Sequence, residues 1–233
     1  MKTQWKWGLF CCLIVCASLL VTELGSRVVS VMAENSVIRK QRCIVIDPGH
    51  GGEDGGAVSL SNLPESGYNL SIALRLKDLL HLLGYQTKMI RTEDVSVYTK
   101  GDTLSQKKQS DLKERVRIAN ETDGAVLLSI HQNHFPDPIF YGAQVFYGKA
   151  EGSELLAQQI QELLVASVNP GSRRKVKKSE GVYLMEHIQV PGVLIECGFL
   201  SNPQEEQKLR DPDYQKRLSA VIAVAVSQYL SNA

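Results

Sequence analysis

Two histidines and two glutamates in this chain have the side chains of a hydrolytic metal site. They are His50, Glu65, His131 and Glu196. Two imidazoles and one carboxylate form the protein ligands of a catalytic Zn²⁺ that keeps a fourth position for water. A second acid beside that water can carry the proton that hydrolysis must move. No compact spacing such as His-Glu-x-x-His joins them, so a metal site has to be argued from the elements that carry these residues.

His50 lies in a glycine-rich loop directly after a predicted strand. The β-branched run 44–46 predicts a strand buried on both faces, and Asp-Pro-Gly at 47–49 must end it. Glycines on both sides of His50 allow the backbone to pack closely against whatever the imidazole holds. On this stretch alone, a metal or catalytic site and a tight polar turn, in which His50 caps or fills space, are equally good interpretations.

The other three residues are placed by elements that we expect to meet at the same edge. His131 directly follows the buried run 125–130, and Glu196 ends a later apolar run. Parallel strands bring such terminal residues to one edge of the sheet. Glu65 begins the first predicted helix, where the helix dipole also favours an acid. Capping is therefore an alternative role for Glu65, although the same position would bring its carboxylate near His50.

Segments with helical and strand periodicity alternate along the chain. We predict helices at 70–83, 112–121 and 153–168, with one or two more over 203–230. We predict strands at 44–46, 85–91, 125–130, 142–147, 182–185 and 193–196, and surface loops at 95–110 and 135–141. This order is typical of an α/β fold: a mostly parallel, twisted sheet with helices on both faces, in a single catalytic domain.

Charge and the amino terminus limit the function classes. The chain has 233 residues and a formal net charge of +1, so its overall charge gives no indication of nucleic-acid binding. Residues 1–33 stand apart, because two lysines precede the uncharged apolar segment 8–22. This pattern is typical of a signal peptide or an N-terminal membrane anchor. Cleavage and membrane anchoring both stay open, and either one predicts that residues 34–233 are exported.

A cluster of cations lies between the third predicted helix and the next strand. It consists of Arg173, Arg174, Lys175, Lys177 and Lys178. A cluster like this is most often a solvated loop. Holding an anionic substrate is the weaker alternative.

Four short motifs stand in a fixed order along the chain. They are Ile-Asp-Pro-Gly-His-Gly-Gly at 46–52, Glu65 with Asn69, Ser-Ile-His at 129–131 with Asn133, and Val-Leu-Ile-Glu-Cys-Gly-Phe-Leu-Ser-Asn at 193–202. In these motifs the chain resembles the zinc-dependent N-acetylmuramoyl-L-alanine amidases of the amidase_3 family. The helix with Leu112 and Arg115 resembles the one that precedes the His131 strand in that family. The resemblance covers about residues 42–231.

The resemblance implies a role for each candidate residue. Zn²⁺ would be bound by His50, Glu65 and His131, with Glu196 as the catalytic acid and base. The substrate would be peptidoglycan, cut at the amide bond between N-acetylmuramic acid and L-alanine.

Two further residues are candidates for substrate binding or for positioning the site. Arg115 and Asn133 match the family in place, but a surface helix charge and a loop turn are equally good interpretations. The sequence carries no signal for or against a protein activator.

The loop at 135–141, with a small domain behind an N-terminal signal, resembles the spore-cortex, germination-specific amidases of the CwlD type. This implies removal of the peptide from muramic acid toward muramic-δ-lactam in cortex peptidoglycan, a step needed for germination. The protein would then act in the spore intermembrane space or the cell wall. A vegetative cell-wall autolysin is the alternative.

Other classes of protein fit the same residues less well. A zinc carboxypeptidase or a deacetylase of the cell wall could use the same ligands on another bond. A non-catalytic wall-binding protein would keep the fold, but it would not need all four site residues. A thiol enzyme built on Cys197 is disfavoured, because the neighbouring Glu196 would raise the pKa of the thiol.

Overall fold

The computed structural model describes residues 42–232 of the chain, which contain six strands and six helices. The elements are β1 (Cys43–Pro48), α1 (Glu65–Leu82), β2 (Gln86–Met89), α2 (Leu104–Asn120), β3 (Ala125–Asn133), β4 (Gln144–Tyr147), α3 (Ser153–Ser167), β5 (Lys177–Lys178), α4 (Tyr183–His187), β6 (Gly192–Phe199), α5 (Pro203–Arg210) and α6 (Pro212–Asn232).

The strands form one sheet in the order β2-β1-β3-β6-β4-β5. The first four strands of that order run parallel to one another. β4 runs antiparallel to β6, and the short β5 runs parallel to β4. The prediction of an α/β fold with a mostly parallel sheet is confirmed.

Two apolar cores cover the two faces of this sheet, because successive strand residues point to opposite sides. In β1, Ile44 and Ile46 belong to the larger core, which includes residues of α1, α3 and α6. Val45 belongs to the smaller core, which includes residues of α2 and α4. Fully burying a side chain of this size contributes about 1.5–3 kcal/mol. Helices therefore lie on both faces, as predicted.

The predicted loop at 95–110 is wrong in its second half, because α2 begins at Leu104. The Thr103 side chain accepts a hydrogen bond from the Gln106 backbone N–H, and the Gln106 side chain accepts one from the Thr103 backbone. This reciprocal capping box starts a helix in a segment whose polarity suggested a loop.

The predicted strand at 182–185 is also wrong, because Tyr183–His187 is a short helix, α4. Periodicity alone cannot distinguish strand from helix in so short an apolar run. Here the Glu186 carboxylate accepts the Gly181 backbone N–H at 2.8 Å, which supports a helical turn. Leu184 and Met185 then pack into the smaller core.

The first helix begins at Glu65, which confirms the predicted position of this residue, and its apolar periodicity starts five residues later. The basic cluster contributes Lys177 and Lys178 to β5. The expectations for residues 1–33 lie outside the described residues. Among residues 42–232, no helix has the length and apolarity needed to cross a bilayer.

Candidate active site

The carboxyl ends of β1, β3 and β6 meet at one edge of the sheet, where all four predicted site residues come together. His131 and Glu196 are partners in the register of β3 and β6. Residues paired across neighbouring strands point to the same side of the sheet, so these two side chains are neighbours. His50 follows β1, and Glu65 reaches the same edge as the first residue of α1.

The backbone of the His50 loop passes unusually close to the site. His50 has φ 60°, a left-handed conformation that is uncommon outside glycine and often marks a functional site. A Cβ atom at Gly49 would overlap the His131 ring. A Cβ atom at Gly56 would lie 2.6 Å from both the Glu65 Oε2 atom and the His50 ring. Only glycine at these two positions leaves room for the three side chains.

The two imidazoles enclose the Glu65 carboxylate. His50 Nε2 lies 3.3 Å from Glu65 Oε2, and His131 Nδ1 lies 3.1 Å from Glu65 Oε1. One donor atom from each residue lies within 4.8 Å of the others. Tetrahedral ligands about 2.1 Å from a central zinc ion would be about 3.4 Å apart. The donor set and its spacing therefore fit a zinc ion.

Two of the three hydrogen-bond donors that hold the Glu65 carboxylate lie outside α1. The side chain is 5% exposed. Its Oε1 accepts hydrogen bonds from Gln132 N and Asn69 Nδ2, each at 3.1 Å, and its Oε2 accepts one from Ala57 N at 3.0 Å. Burial raises the pKa of Glu65, but the two imidazoles outweigh it and hold that pKa well below its usual range. An anionic carboxylate aimed at both imidazoles suits a ligand better than a helix cap.

A second carboxylate holds the other side of the His50 ring. His50 Nδ1 lies 3.0 Å from Asp54 Oδ2. Burial lowers the pKa of His50, but hydrogen bonds and charges from Glu65 and Asp54 raise it above its usual value. A carboxylate behind an imidazole fixes the orientation of the ring and increases its basicity, which is the usual arrangement around a bound metal.

Glu196 differs from Glu65 because one oxygen of its carboxylate has no hydrogen-bond partner among the described residues. This oxygen, Oε2, is buried. Burial, with a smaller contribution from the Glu65 charge, raises the pKa of Glu196 to about 7, although the imidazoles His131 and His50 oppose this shift. A carboxyl that can gain or lose a proton near neutral pH is suited to acid and base catalysis.

A buried ion pair supports the His50 loop from behind. Arg115 pairs with Asp47, which also accepts the Ser129 hydroxyl at 2.7 Å. The same guanidinium donates to the backbone oxygen of Pro48 at 3.0 Å and to that of His50 at 2.8 Å. The loop that carries His50 is thereby fixed to α2 and β3.

A second arginine, Arg91, links this loop to α1. Its guanidinium donates to the backbone oxygens of Pro48 at 2.9 Å, Gly49 at 3.0 Å and Ser66 at 2.9 Å. It therefore sets the position of the loop relative to the helix that begins at Glu65. This role was not predicted from the sequence. The available signal was a cation at the end of the predicted strand 85–91, where an unpaired charge would be costly to bury.

The structure places the two candidate substrate-binding residues differently. Arg115 is 3% exposed, and its donors all reach protein groups, including Asp111. This geometry favours the positioning role that the sequence left open. Asn133 is half-buried at the end of β3, and no described residue hydrogen-bonds to its side chain. Its role in substrate binding stays a prediction.

The Cys197 side chain is not exposed at the candidate active site. The thiol is fully buried, and burial together with the neighbouring Glu196 raises its pKa well above the usual range. Thiolate formation is thus suppressed, which argues against a thiol enzyme.

The comparison with protein families decides which class of enzyme carries this arrangement. A family model described as N-acetylmuramoyl-L-alanine amidase, Amidase_3, matches residues 44–228. The chain belongs to this family. The family, the enzyme class and the fold expected from the motifs are therefore confirmed for this amidase.

Individual relatives of the amidase show where in the family it lies. A germination-specific N-acetylmuramoyl-L-alanine amidase of Bacillus subtilis is 38% identical over 192 residues, which cover 82% of this chain and 80% of the relative. The amidase LytC of the same organism is 32% identical over 77% of this chain and 34% of its own length. The solved CwlD amidase from Clostridioides difficile, in complex with the GerS lipoprotein, is 37% identical with a TM-score of 0.79, covering 82% of this chain and all of that one.

Replacing Asp47 by asparagine is expected to destabilise the amidase by roughly 3 kcal/mol at pH 7, because Arg115 stays buried with one carboxylate fewer. Burial raises the pKa of Asp47, but Arg115 and the Ser129 hydroxyl lower it below the ordinary value. The stabilisation is therefore present above the unfolded pKa of about 4 and is lost as the pH falls further.

Urea unfolding of the metal-free wild type and of Asp47→Asn at several pH values measures this effect. The difference in the free energy of unfolding between the two proteins should become smaller in acid. Exposed Asp123→Asn is the matched control and should change little. A difference in unfolding free energy that stays constant down to pH 3 would show that the charge of Asp47 does not stabilise the fold.

Proposed function

We propose that this amidase is an exported, zinc-dependent enzyme that cuts the bond between N-acetylmuramic acid and L-alanine in spore-cortex peptidoglycan. One observation carries the proposal. Donor atoms of His50, Glu65 and His131 converge within 4.8 Å, and the partly unpaired carboxylate of Glu196 lies beside them. The catalytic domain is taken as residues 34–233.

His50, Glu65 and His131 would hold the zinc ion. When bound, zinc lowers the pKa of water and polarises a carbonyl group. Glu196 Oε2 would accept the proton of the attacking water and return it to the amide nitrogen, so that the L-alanine peptide leaves as a neutral amine. Asp54 keeps His50 in one orientation, and Asn69 with Gln132 does the same for Glu65.

The spore-cortex assignment is supported by similarity. The identity to the germination-specific relative, 38%, exceeds that to LytC, 32%. The expected product is peptide-free muramic acid, the precursor of muramic-δ-lactam. Acting on cortex requires export, for which residues 1–33 would serve as signal peptide or anchor. The CwlD neighbour was solved in complex with a lipoprotein. We therefore propose that this amidase also binds a lipoprotein partner.

The test uses the full-length chain, zinc and purified cortex peptidoglycan, with mass spectrometry of the released fragments. Peptides that begin with alanine should appear, disappear with a chelator and return with added zinc. Release of D-alanine or acetate instead would assign a carboxypeptidase or a deacetylase. Binding without release, even with a lipoprotein partner added, would assign a wall-binding protein.

Gly49→Ala is expected to weaken zinc binding by at least tenfold, because the new Cβ would overlap the His131 ring. A displacement of one ligand by a few tenths of an ångström should act like the loss of a supporting contact, typically 10–100-fold. Zinc affinity is measured by competition with a chromogenic chelator.

Gly67→Ala is the matched control for this substitution. Gly67 lies in α1, and a Cβ there would have no neighbour within 4 Å. Alanine at that position should leave zinc affinity unchanged and favour the helix slightly. Equal zinc affinity in Gly49→Ala and Gly67→Ala would contradict the proposed site geometry.

A further inference from the structure

A groove of about 600 Å³ lies beside the candidate active site on the β4 side. Gln144, the first residue of β4, lines it and pairs in register with Glu196. The groove and the catalytic carboxylate therefore share one edge of the sheet. The lining residues are Ile139, Phe140, Tyr141, Gln144, Ser172, Arg173, Arg174, Lys175, Val176 and Lys177.

One wall of this groove is an aromatic loop that the β6 region holds in place. Ile139 and Tyr141 are 69% and 54% exposed. Phe140 packs edge-on against Phe135, with ring centroids 4.8 Å apart, and stacks on Phe199 of β6 at 6.3 Å. These apolar side chains face solvent although the backbone beneath them is anchored.

The anchors of the loop come from residues that follow β6. Asn202 Nδ2 donates to the Pro138 carbonyl at 2.7 Å, and the Ser201 hydroxyl accepts the Phe135 N–H at 3.1 Å. Glu205 accepts the Gly142 N–H at 2.8 Å, where the loop ends. The wall is thus a preformed surface tied to the strand that carries Glu196.

The opposite wall is the basic segment 172–177, and Arg174 joins it to the aromatic loop. Arg174 Nε donates to the Tyr141 carbonyl at 2.7 Å, and Nη1 donates to Gln144 Oε1 at 3.2 Å. Its guanidinium lies 4.6 Å from the centre of the Phe199 ring. Arg174 therefore has a structural role, because its guanidinium contacts other residues of the protein.

The remaining cations of the groove are free to bind a ligand. Arg173, Lys175 and Lys177 are exposed, and none of them forms an ion pair among the described residues. No acidic residue lines the groove. Three unpaired cations beside exposed aromatic rings create a concave surface for a ligand with several negative charges and some apolar surface.

We propose that this groove binds the peptide stem of the peptidoglycan substrate through its free carboxylates, a proposal that rests on the proposed function. The stem begins at the L-alanine whose bond would be cut, so it must leave the catalytic carboxylate along a neighbouring surface. The groove is such a surface, and its charge is opposite to that of the stem. An anionic membrane would also attract cations, but a concave groove at the catalytic edge favours an extended chain over a flat bilayer.

The test measures binding of a soluble disaccharide-peptide to the full-length, zinc-loaded chain that carries Glu196→Gln, so that no ligand is cleaved. Adding Arg173→Gln, Lys175→Gln and Lys177→Gln should weaken binding about tenfold, since exposed charge pairs contribute modestly each. The loss should shrink in 0.5 M salt. It should vanish for a ligand whose carboxylates are amidated.

Two matched variants separate charge from folding. Replacing Lys113, Lys149 and Lys216 by glutamine removes the same charge from exposed positions outside the groove and should leave binding unchanged. Exchanging lysine for arginine, and arginine for lysine, at the three groove positions keeps the charge and should preserve binding.

Undiminished binding after neutralising the groove would overturn the proposal. So would a variant that binds the disaccharide-peptide normally but no longer binds phosphatidylglycerol vesicles, which would assign the cations to a membrane. Because the measurement needs no turnover, it is independent of the proposed activity. A protein that binds the stem in the groove without releasing alanine-terminated peptides would contradict only the proposed function.

Discussion

Glu196→Gln is expected to lower kcat by about 10²–10⁴-fold while the protein keeps its zinc. The substitution preserves the shape of the side chain but removes a carboxyl whose pKa of about 7 suits it to exchange a proton near neutral pH. The carboxyl is not expected to hold the metal, because the converging donor atoms are those of His50, Glu65 and His131. Zinc content by mass spectrometry and release of alanine-terminated peptides are measured on the same sample.

Glu151→Gln provides the control for this loss of a carboxylate. Glu151 is exposed in the turn before α3, and its substitution should change neither the zinc content nor the release of alanine-terminated peptides. Turnover of Glu196→Gln within threefold of the wild type would contradict the assignment of the acid and base. Loss of zinc together with activity would instead assign Glu196 to the metal.

The sequence predicts the central sheet well because burial on both faces leaves a continuous apolar run. The runs at 44–46, 125–130 and 193–196 all correspond to strands, and their polar terminal residues meet as parallel topology requires. Errors occur where local hydrogen bonds decide the structure. The capping box at Thr103 extends α2 into a polar segment, and a four-residue apolar run after Gly181 becomes a helix.

The sequence also predicts which side chains meet, but not what holds them. His131 and Glu196 follow from strand ends, and Glu65 from the start of a helix. Asp47 and Arg91 do not, because their roles depend on hydrogen bonds to residues 25 to 68 positions away in the chain. The spacing of residues along a sequence does not predict such long-range contacts.

The supporting contacts explain why the His50 loop can hold a strained backbone. His50 has a left-handed conformation, which costs about 1–3 kcal/mol and persists only where its surroundings enforce it. Two buried guanidinium groups, Arg91 and Arg115, bind three consecutive carbonyls of residues 48–50. These hydrogen bonds fix the loop, so the protein itself orients the His50 imidazole.

His131→Ala is expected to lose both zinc and activity, with zinc affinity falling by more than the 10–100-fold typical of supporting residues. The substitution removes one of three converging donors and also one of the two imidazoles that hold the Glu65 carboxylate in its anionic form. Zinc affinity is measured by chelator competition, and folding by thermal unfolding of the metal-free protein.

His187→Ala is the control, because His187 is exposed on α4, where its ring stacks on Tyr183 and hydrogen-bonds to the Tyr183 carbonyl. It should leave zinc affinity and turnover unchanged. A His131→Ala protein that still binds one zinc tightly would contradict the proposed ligand set. Loss of zinc in His131→Ala, set against retention in Glu196→Gln, separates the two functions of this edge: one strand terminus holds the metal, and its partner in register moves the proton.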